Sequence, residues 1–380
     1  MHHVKLQKNA KKVRSQNMPE KTIHKKVLFT SHTANFSKFN RPFMRWFKEK
    51  GWDVHYASAG EEEVLDCDKH FEIPFNRSPF SGSNIRAIKD LKKVLDENKY
   101  DIVHTHTPMG SVVTRIAARK ARKNGTRIIY TAHGLHFFKG APLINWLLYF
   151  PMEWLMSFVT DDIILINQED YEFSKKHLHA KRTHWLKSGV GVDLSRFKPV
   201  SEEEKQLLRK KYGYKKDDFI LIYIAEFTDR KNHKFLLTAL PEIIKNNKNA
   251  KLVLLGKGEK LEEMKELAKS LHIENKVDFL GYQKDVEKFI QLSDLGVSTS
   301  KQEGLATGII EMLAVGLPVV ASDIRGHREI LPQDFLFALS RSGKQRLIEI
   351  LSKNSLISYH SAKECCGVSN AINIMKDIYK

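Results

Sequence analysis

The sequence predicts an α/β protein of two doubly wound parallel-sheet domains facing each other across a cleft. Short apolar runs alternate with amphipathic stretches, the pattern of a parallel sheet covered by helices on both faces. That alternation runs through the chain twice, with a glycine-punctuated junction, Lys187-Ser-Gly189-Val-Gly191-Val-Asp193, between the two series. A length of 380 residues with 42% hydrophobic content suits two domains of ordinary size. The expected division is a basic, disordered arm at 1–25, an N-terminal domain at 26–192, a C-terminal domain at 193–365 and a segment at 366–380 whose helix packs back on the first domain.

In the first half, Lys26–Thr30 predicts the first strand, Phe39–Glu49 a helix and Val54–Ser58 the second strand. Asn84–Glu97 predicts a helix with Ile85, Ile88, Leu91, Val94 and Leu95 on one face and Arg86, Lys89, Lys92 and Lys93 on the other. Asp101–His104, Arg127–Thr131 and Asp162–Ile166 predict further strands. The second half repeats the theme: strand Phe219–Ile224, a helix from about Asn232, strand Ala250–Leu255, helix Glu259–Leu271 and strand Val277–Leu280. A buried strand over Leu292–Ser300, a helix over Ile309–Ala314, a strand over Gly316–Ala321 and a last helix over Asn370–Tyr379 complete the series.

Composition narrows the classes of function. The formal net charge is +18, but the basic residues are dispersed rather than interleaved with aromatics on one strand face, so no nucleic acid is expected as a partner. Residues 1–20 are polar and basic, without the apolar centre of a secretory signal, and no apolar run of about 18 residues predicts a spanning helix. Cys67, Cys365 and Cys366 offer neither a disulfide framework nor metal spacing, which fits a reducing cytoplasm.

In open sheets of this kind the loops after the strands carry the chemistry. In Ser300-Lys-Gln-Glu303-Gly304-Leu305-Ala306-Thr307-Gly308-Ile-Ile-Glu311, two glutamates flank a turn that opens a helix. Free N–H groups near Thr307 and Gly308 suit an anion, whereas carboxylates suit hydroxyls. That combination describes a diphosphate with sugar hydroxyls on both sides, a nucleoside-diphosphate sugar. Ala225-Glu226-Phe-Thr-Asp229-Arg230-Lys231-Asn232 places two cations in another loop, and Gly256-Lys257-Gly258 and Gly281-Tyr282-Gln283 are further turns after strands. His104-Thr-His106 and His133-Gly-Leu-His136 follow strands of the first half. No carboxylate or cysteine completes a zinc set with them, so they read as cleft residues and no metal site is expected.

Together with Gly316-Leu-Pro-Val-Val-Ala321, these elements resemble the family 4 retaining glycosyltransferases of the GT-B fold, over about Lys26 to Leu331. The resemblance implies an N-terminal domain on the acceptor side, a C-terminal domain that binds the nucleotide sugar, and transfer without a metal or other cofactor. It implies His133, Lys231 and Glu303 as catalytic residues: Lys231 and the Thr307–Gly308 amides stabilise the leaving phosphate, Glu303 holds donor hydroxyls and His133 orients the sugar. Glu226, Arg230, Gly256, Lys257, Tyr282, Gln283, Leu305, Ala306, Thr307, Gly308 and Glu311 become donor-binding candidates, with Glu311 on the ribose. In the family mechanism the leaving phosphate oxygen receives the acceptor's proton on the face of attack, so no strong side-chain base is needed.

Ile166-Asn167-Gln168-Glu169-Asp170-Tyr171 and the aromatic stretch Leu135 to Met156 resemble the bacterial exopolysaccharide and capsule branch of the family. That likeness implies a hexosyl or N-acetylhexosaminyl transfer, from a donor expected to be UDP-linked, to a polyprenyl-diphosphate-linked glycan. Asn35, His106, His136 and Trp146 are the acceptor-side candidates. The aromatic stretch itself has two readings, a buried interdomain helix and an interfacial segment beside a lipid-linked acceptor. Arg86, Lys89, Lys92 and Lys93 with Arg115, Arg119, Lys120 and Arg122 give basic helix faces, so an anionic membrane surface is an expected partner, with the protein peripheral on the inner face of the plasma membrane.

The chain departs from the family at Ser31-His-Thr-Ala-Asn35-Phe36, where a Gly-Gly pair is usual, and at Glu226, where many members carry arginine. The segment after Leu331 is also short. Two accounts of Glu226 stay open: Arg230 bridges it to a phosphate, or it points at the sugar. Two other functions share some features: a nucleotide-sugar epimerase of the same fold, which needs catalytic carboxylates in the first domain, and a basic nucleic-acid-binding protein.

Overall fold

The computed structural model describes residues 24–187, 189–352 and 367–380. All but the last two residues of the expected arm at 1–25, and Cys365 with Cys366, lie outside the described residues.

The first sheet holds seven parallel strands, β1 (Lys26–Thr30), β2 (Asp53–Ser58), β3 (Lys69–Glu72), β4 (Ile102–His106), β5 (Arg127–Ala132), β6 (Asp162–Leu165) and β7 (Arg182–Trp185), in the order β3-β2-β1-β4-β5-β6-β7. The second holds β8 (Phe219–Ile224), β9 (Ala250–Leu255), β10 (Val277–Gly281), β11 (Leu295–Ser298), β12 (Val319–Ser322) and β13 (Leu336–Phe337), in the order β10-β9-β8-β11-β12-β13. Strand order reverses at β1/β4 and at β8/β11, so each sheet has a switch point where the loops at the carboxyl ends diverge and leave a crevice.

Apolar residues on both faces of each strand explain the double cover. Val27 and Phe29 join Phe43, Met44 and Phe47 of helix Ser37–Glu49 on one side of the first sheet. Leu28 and Val103 join Leu91 and Leu95 of helix Ser83–Asn98 on the other. In the second sheet Leu221 and Leu252 face one core, and Ile220, Ile222 and Val253 the opposite one. Helix Val368–Tyr379 packs on the first sheet, burying Ala371, Met375 and Ile378 beside Val27 and Phe29. Its Tyr379 hydroxyl hydrogen-bonds His104 Nδ1 at 2.8 Å.

The structure differs from the sequence expectations where local signals compete. The strands missed, β3, β7 and β13, are all short edge strands, and β3 and β7 carry polar or charged residues that hide the alternation. The strand expected from Gly316 begins at Val319, because Gly316 takes φ 86° and terminates helix Thr307–Val315. The strand expected from Leu292 begins at Leu295, because Leu292 closes helix Val286–Leu292. Ile85 is 64% exposed, and Asn84 and Ala87 take the inward face with Leu91 and Val94.

The aromatic stretch is not the buried interdomain helix that was one of its two readings. Helix Leu143–Ser157 lies on the first domain with Leu143 73% and Leu147 63% exposed, and Ile144 and Leu155 are exposed beside them. Its inner side is held by Trp146 and Phe150 against Phe137 and Phe173, and by a buried ion pair, Glu153 with Arg115. Arg115, expected on a basic surface face, is therefore a core residue. Its Nη1 and Nη2 donate to the two Glu153 oxygens at 2.6 and 3.0 Å, and its guanidinium lies 4.3 Å from the Tyr130 ring centroid.

Candidate active site

The carboxyl-end loops of both sheets enclose a cavity of about 470 Å³ between the domains. His32, Thr107, His133 and His136 line it from the first domain, and Arg230, Glu303, Thr307 and Arg325 from the second. A smaller cavity of about 170 Å³ shares Glu303, Leu305 and Thr307 with it and runs past Lys231, Ala306 and Gly308 to Glu311. The sequence candidates Lys231, Glu303, Thr307, Gly308 and Glu311 thus line two adjoining cavities that meet at Glu303, Leu305 and Thr307.

Lys231 is placed by its backbone. Asn232 takes the left-handed conformation (φ 55°) and turns the chain from the β8 loop into helix His233–Leu237. The Tyr223 hydroxyl donates to the Lys231 carbonyl at 2.7 Å, and Thr299 Oγ1 donates to the Asn232 carbonyl at 2.9 Å. Lys301 N–H donates to the Arg230 carbonyl at 2.8 Å, tying the β8 loop to the β11 loop. The Lys231 ammonium then reaches Glu303 Oε1 at 2.5 Å, and Arg230 Nη1 reaches Glu303 Oε2 at 3.0 Å. Burial alone would raise the Glu303 carboxyl, but Lys231 and Arg230 hold it below the usual carboxylate range. Glu303 is 8% exposed, so a charged carboxylate and two cations sit together at the edge of the cavity.

The first amides of helix Thr307–Val315 open beside this cluster, with no side-chain cap at its start. A side chain at Gly308 would meet only the Ile224 carbonyl at 3.7 Å, an ordinary contact, so packing does not demand glycine there. What the glycine keeps clear is the smaller cavity. At the far end of that cavity, burial raises the Glu311 carboxyl to about 7 against the opposing pull of Arg196 and Lys38.

On the first domain His133 projects from the end of β5, where burial pushes its imidazole down to about 4. The two domains meet here backbone to backbone. A Cβ on Gly304 would stand 2.1 Å from the His133 carbonyl oxygen, and one on Gly134 (φ 122°) 2.9 Å from Gly304 Cα. Arg325 seals the contact by pairing with Asp170 and donating to the Leu135 carbonyl at 2.7 Å, its guanidinium 4.2 Å from the Phe138 ring centroid.

Other candidates are placed elsewhere. Glu226 is exposed and makes no ion pair among the described residues, so of its two open accounts the Arg230–Glu226 bridge is absent, and Arg230 pairs with Glu303 instead. Gly256 and Gly258 are packing glycines, for their Cβ atoms would stand 2.0 Å from the Ala225 and 2.4 Å from the Phe227 carbonyl oxygens. Gly256, exposed Lys257, Tyr282 (65% exposed) and Gln283 lie outside both cavities. On the acceptor side, His136 lines the large cavity with its ring 4.8 Å from Tyr149, and His106 lies buried behind His133. Asn35 points to Glu62 at 3.4 Å, and Trp146 belongs to the Phe137–Phe173 cluster; neither lines the cavity. Sequence reasoning missed Arg325, His32, Arg77 and Tyr149, all of which line the large cavity. None stands in a spacing pattern, and only the topology gathers them.

No three His, Cys, Asp or Glu side chains converge on a metal position among the described residues. No described helix is long and apolar enough to cross a membrane.

Comparison with known proteins agrees with this geometry. Residues 26–167 match the family described as glycosyl transferase 4-like, and residues 204–356 the family glycosyl transferases group 1. A putative glycosyltransferase EpsD of Bacillus subtilis is 44% identical over 309 residues, 81% of each chain. An Escherichia coli enzyme described as UDP-Gal:alpha-D-GlcNAc-diphosphoundecaprenol alpha-1,3-galactosyltransferase is 29% identical over 71% of this chain and 75% of its own. Anabaena Alr3699/HepE, solved in complex with UDP-glucose, superposes with a TM-score of 0.74 at 19% identity over 94% of this chain and all of that one. WaaG, a glycosyltransferase involved in lipopolysaccharide biosynthesis, gives 0.68 at 15% identity over 92% and 95%. With two domain families matched in order and a 44% identical relative spanning most of its length, the chain belongs to the family 4 glycosyltransferases of the GT-B fold.

Proposed function

We propose that this glycosyltransferase moves a hexosyl or N-acetylhexosaminyl group from UDP to a polyprenyl-diphosphate-linked glycan in the synthesis of a cell-surface polysaccharide, with retention at the anomeric carbon. The observation that carries the reading is the pair of adjoining cavities that run from His133 past Glu303 and Lys231 to Glu311, with the opening residues of helix Thr307–Val315 in their shared wall. Cations and amides at the centre suit a diphosphate, the carboxylate at each end suits hydroxyls, and their order matches sugar, diphosphate, ribose.

In this assignment Lys231 and the Thr307 and Gly308 amides take the negative charge that builds on the departing phosphate, as preorganised donors do. Arg230 shares the task. No metal is needed in this scheme, because the two cations and the helix start already oppose the charge. Glu303 holds donor hydroxyls, His133 orients the sugar and Glu311 the ribose. The acceptor hydroxyl enters from the first-domain side, past His32 and His136, with Arg77 facing the acceptor's phosphates. The UDP-linked donor is supported by Anabaena HepE, and the lipid-diphosphate acceptor by the E. coli galactosyltransferase.

The acceptor's lipid places the enzyme at a membrane. Exposed Leu143, Ile144, Leu147 and Leu155 form an apolar helix face, and Tyr149 of the same helix lines the cavity, so a lipid-held acceptor meets the cleft next to the lipid surface. Basic residues near its C-terminal end, Arg122 on the Phe158 carbonyl and Lys181 beside Thr160, suit anionic headgroups.

The test is a thermal-shift panel of nucleotides and nucleotide sugars, since a ligand of the native state raises stability by mass action. A UDP-sugar from the panel is then supplied with polyprenyl-diphosphate glycans and excess EDTA. Stabilisation by UDP and by one UDP-sugar, followed by EDTA-resistant transfer with the α-anomer retained, is the expected result. No response to any uridine nucleotide would defeat the reading.

A further inference from the structure

We propose that His106 is the positioning residue that fixes the tautomer of His133, so that the His133 imidazole presents Nδ1–H, a hydrogen-bond donor, to an oxygen of the donor sugar. The inference rests on the transferase reading for its consequence and on geometry for its substance. His106 ends β4 and is 1% exposed, enclosed by His104 at 4.2 Å, Phe36 at 5.7 Å and Phe29 at 6.3 Å between ring centroids. Its Nδ1 lies 3.1 Å from His133 Nε2. Its other nitrogen, Nε2, is buried with no hydrogen-bond partner.

Burial keeps both rings neutral at physiological pH, so each carries one N–H. A hydrogen bond between them needs one proton in the gap, and two arrangements supply it. In the first, His133 Nε2–H donates to His106 Nδ1. His106 then carries its own proton on Nε2, a buried N–H with no acceptor. In the second, His106 Nδ1–H donates to His133 Nε2, and the atom left without a partner is only a lone pair. Orphaned buried N–H groups are the rarer and costlier defect, so the second arrangement prevails. The remaining proton of His133 is then on Nδ1, which takes no partner among the described residues, and His133 lines the cleft across from Arg230 and Glu303. An N–H there pairs with a ring or hydroxyl oxygen of the sugar. The opposite tautomer would offer a lone pair in the same place.

His104 supports the arrangement without deciding it. Its two nitrogens meet the Tyr379 and Thr131 hydroxyls at 2.8 Å each, groups that serve as donor or acceptor alike, and its ring props His106 from behind.

The test uses full-length protein carrying ¹⁵N-histidine, whose long-range proton–nitrogen spectra distinguish the two tautomers, with the His133 signal assigned by its loss in His133→Gln. In the wild type His133 is expected to be protonated on Nδ1. His106→Asn, whose side-chain amide places an N–H near the Nδ1 position, keeps that tautomer and turnover within about threefold. His106→Leu converts His133 to a mixture and lowers kcat about tenfold, the scale of one hydrogen bond, while the Kd of UDP stays unchanged because His133 faces the sugar. A wild-type His133 protonated on Nε2 overturns the proposal, as does His106→Leu with both tautomer and kcat preserved. Should the leucine variant not fold, the wild-type spectrum decides alone. If no nucleotide sugar is turned over, the transferase reading fails while the tautomer result stands on its own.

Discussion

Replacing Lys231 by alanine removes the cation paired with Glu303 and tests the core of the proposed mechanism. In the free enzyme its ammonium is 2.5 Å from Glu303 Oε1, and the loop carrying it is fixed by Tyr223 and Thr299, so the charge is preorganised before any ligand arrives. Loss of one preorganised donor in such a site costs about 100- to 1000-fold in turnover, or about 2.7–4 kcal/mol. Arg230 does not replace it, because its side chain is 46% exposed and divides Nη1 between the Gln302 carbonyl and Glu303. The fold should persist, since Lys231 belongs to a loop and no core cluster includes it. A stability cost follows from linkage. The folded-state Glu303 carboxyl is depressed, so its contribution is present above its unfolded pKa and is lost as pH falls through the folded value. Wild type and variant should therefore differ in melting temperature at neutral pH and converge in acid. The assay is UDP release with calorimetric UDP binding on the same preparations. Near-normal turnover in a folded Lys231→Ala protein would refute the reasoning.

Glu303→Gln should lower turnover more than UDP affinity, whereas Glu311→Ala should weaken UDP itself by about tenfold, the scale of one hydrogen bond to a charged group; equal effects on both quantities in each variant would reverse the sugar and ribose assignments. The Glu311 carboxyl titrates near 7, so UDP affinity should rise between pH 6 and 8 as the better acceptor forms, and calorimetry on Glu311→Gln should show that slope gone. Stability runs the other way. The raised carboxyl supports the fold at low pH and loses that contribution as pH climbs through about 7, so Glu311→Gln should compare best with wild type in alkali. Glu153→Ala should cost about 3–5 kcal/mol in denaturant melts by stranding the buried Arg115 charge, while Arg115→Met with Glu153→Leu should cost less. Binding to anionic vesicles should weaken with salt and be lost in Leu147→Glu; equal binding by that variant would remove the exposed helix face from the membrane contact.

Sequence periodicity revealed most of the scaffold because both faces of each central strand are buried, which writes an unbroken apolar run such as Phe-Ile-Leu-Ile-Tyr-Ile in β8. Edge strands carry no such record: Lys69–Glu72 pairs on one side only and tolerates charge. The second-domain site was legible because Glu303, Thr307, Gly308 and Glu311 come from one strand–loop–helix unit, where spacing and geometry coincide. Lys231 entered through its own loop motif. Arg77, Arg325 and His32 were invisible, since Arg77 and His32 reach the cavity from different loops and Arg325 from the start of helix Arg325–Arg328, and topology alone brings them together. The Leu143–Ser157 helix left two readings open in the sequence, and the buried one fails for a different reason. Apolarity all round normally means burial, and here Glu153 serves a buried partner while Leu143 and Leu147 face outward.

The same logic explains why two unremarkable glycines stand at the centre of the molecule. Glu303 belongs to the second domain and His133 to the first, and their backbones approach so closely that neither Gly134 nor Gly304 has room for a methyl group. Arg325 spans the same gap to Asp170 and Leu135, and the Gln168 N–H donates to Glu329 Oε1 at 2.7 Å a short way along. These contacts set the distance between the second-domain loop that carries Glu303 and the first-domain groups that face it. A side chain at Gly304 would push the domains apart at this contact, and in a transferase cleft a misplacement on the order of 1 Å costs about a hundredfold in rate. Gly304→Ala should therefore lose transfer while the nucleotide end of the cavity, lined wholly by the second domain, keeps its UDP affinity, and a variant with normal transfer would remove the glycine contact from the mechanism.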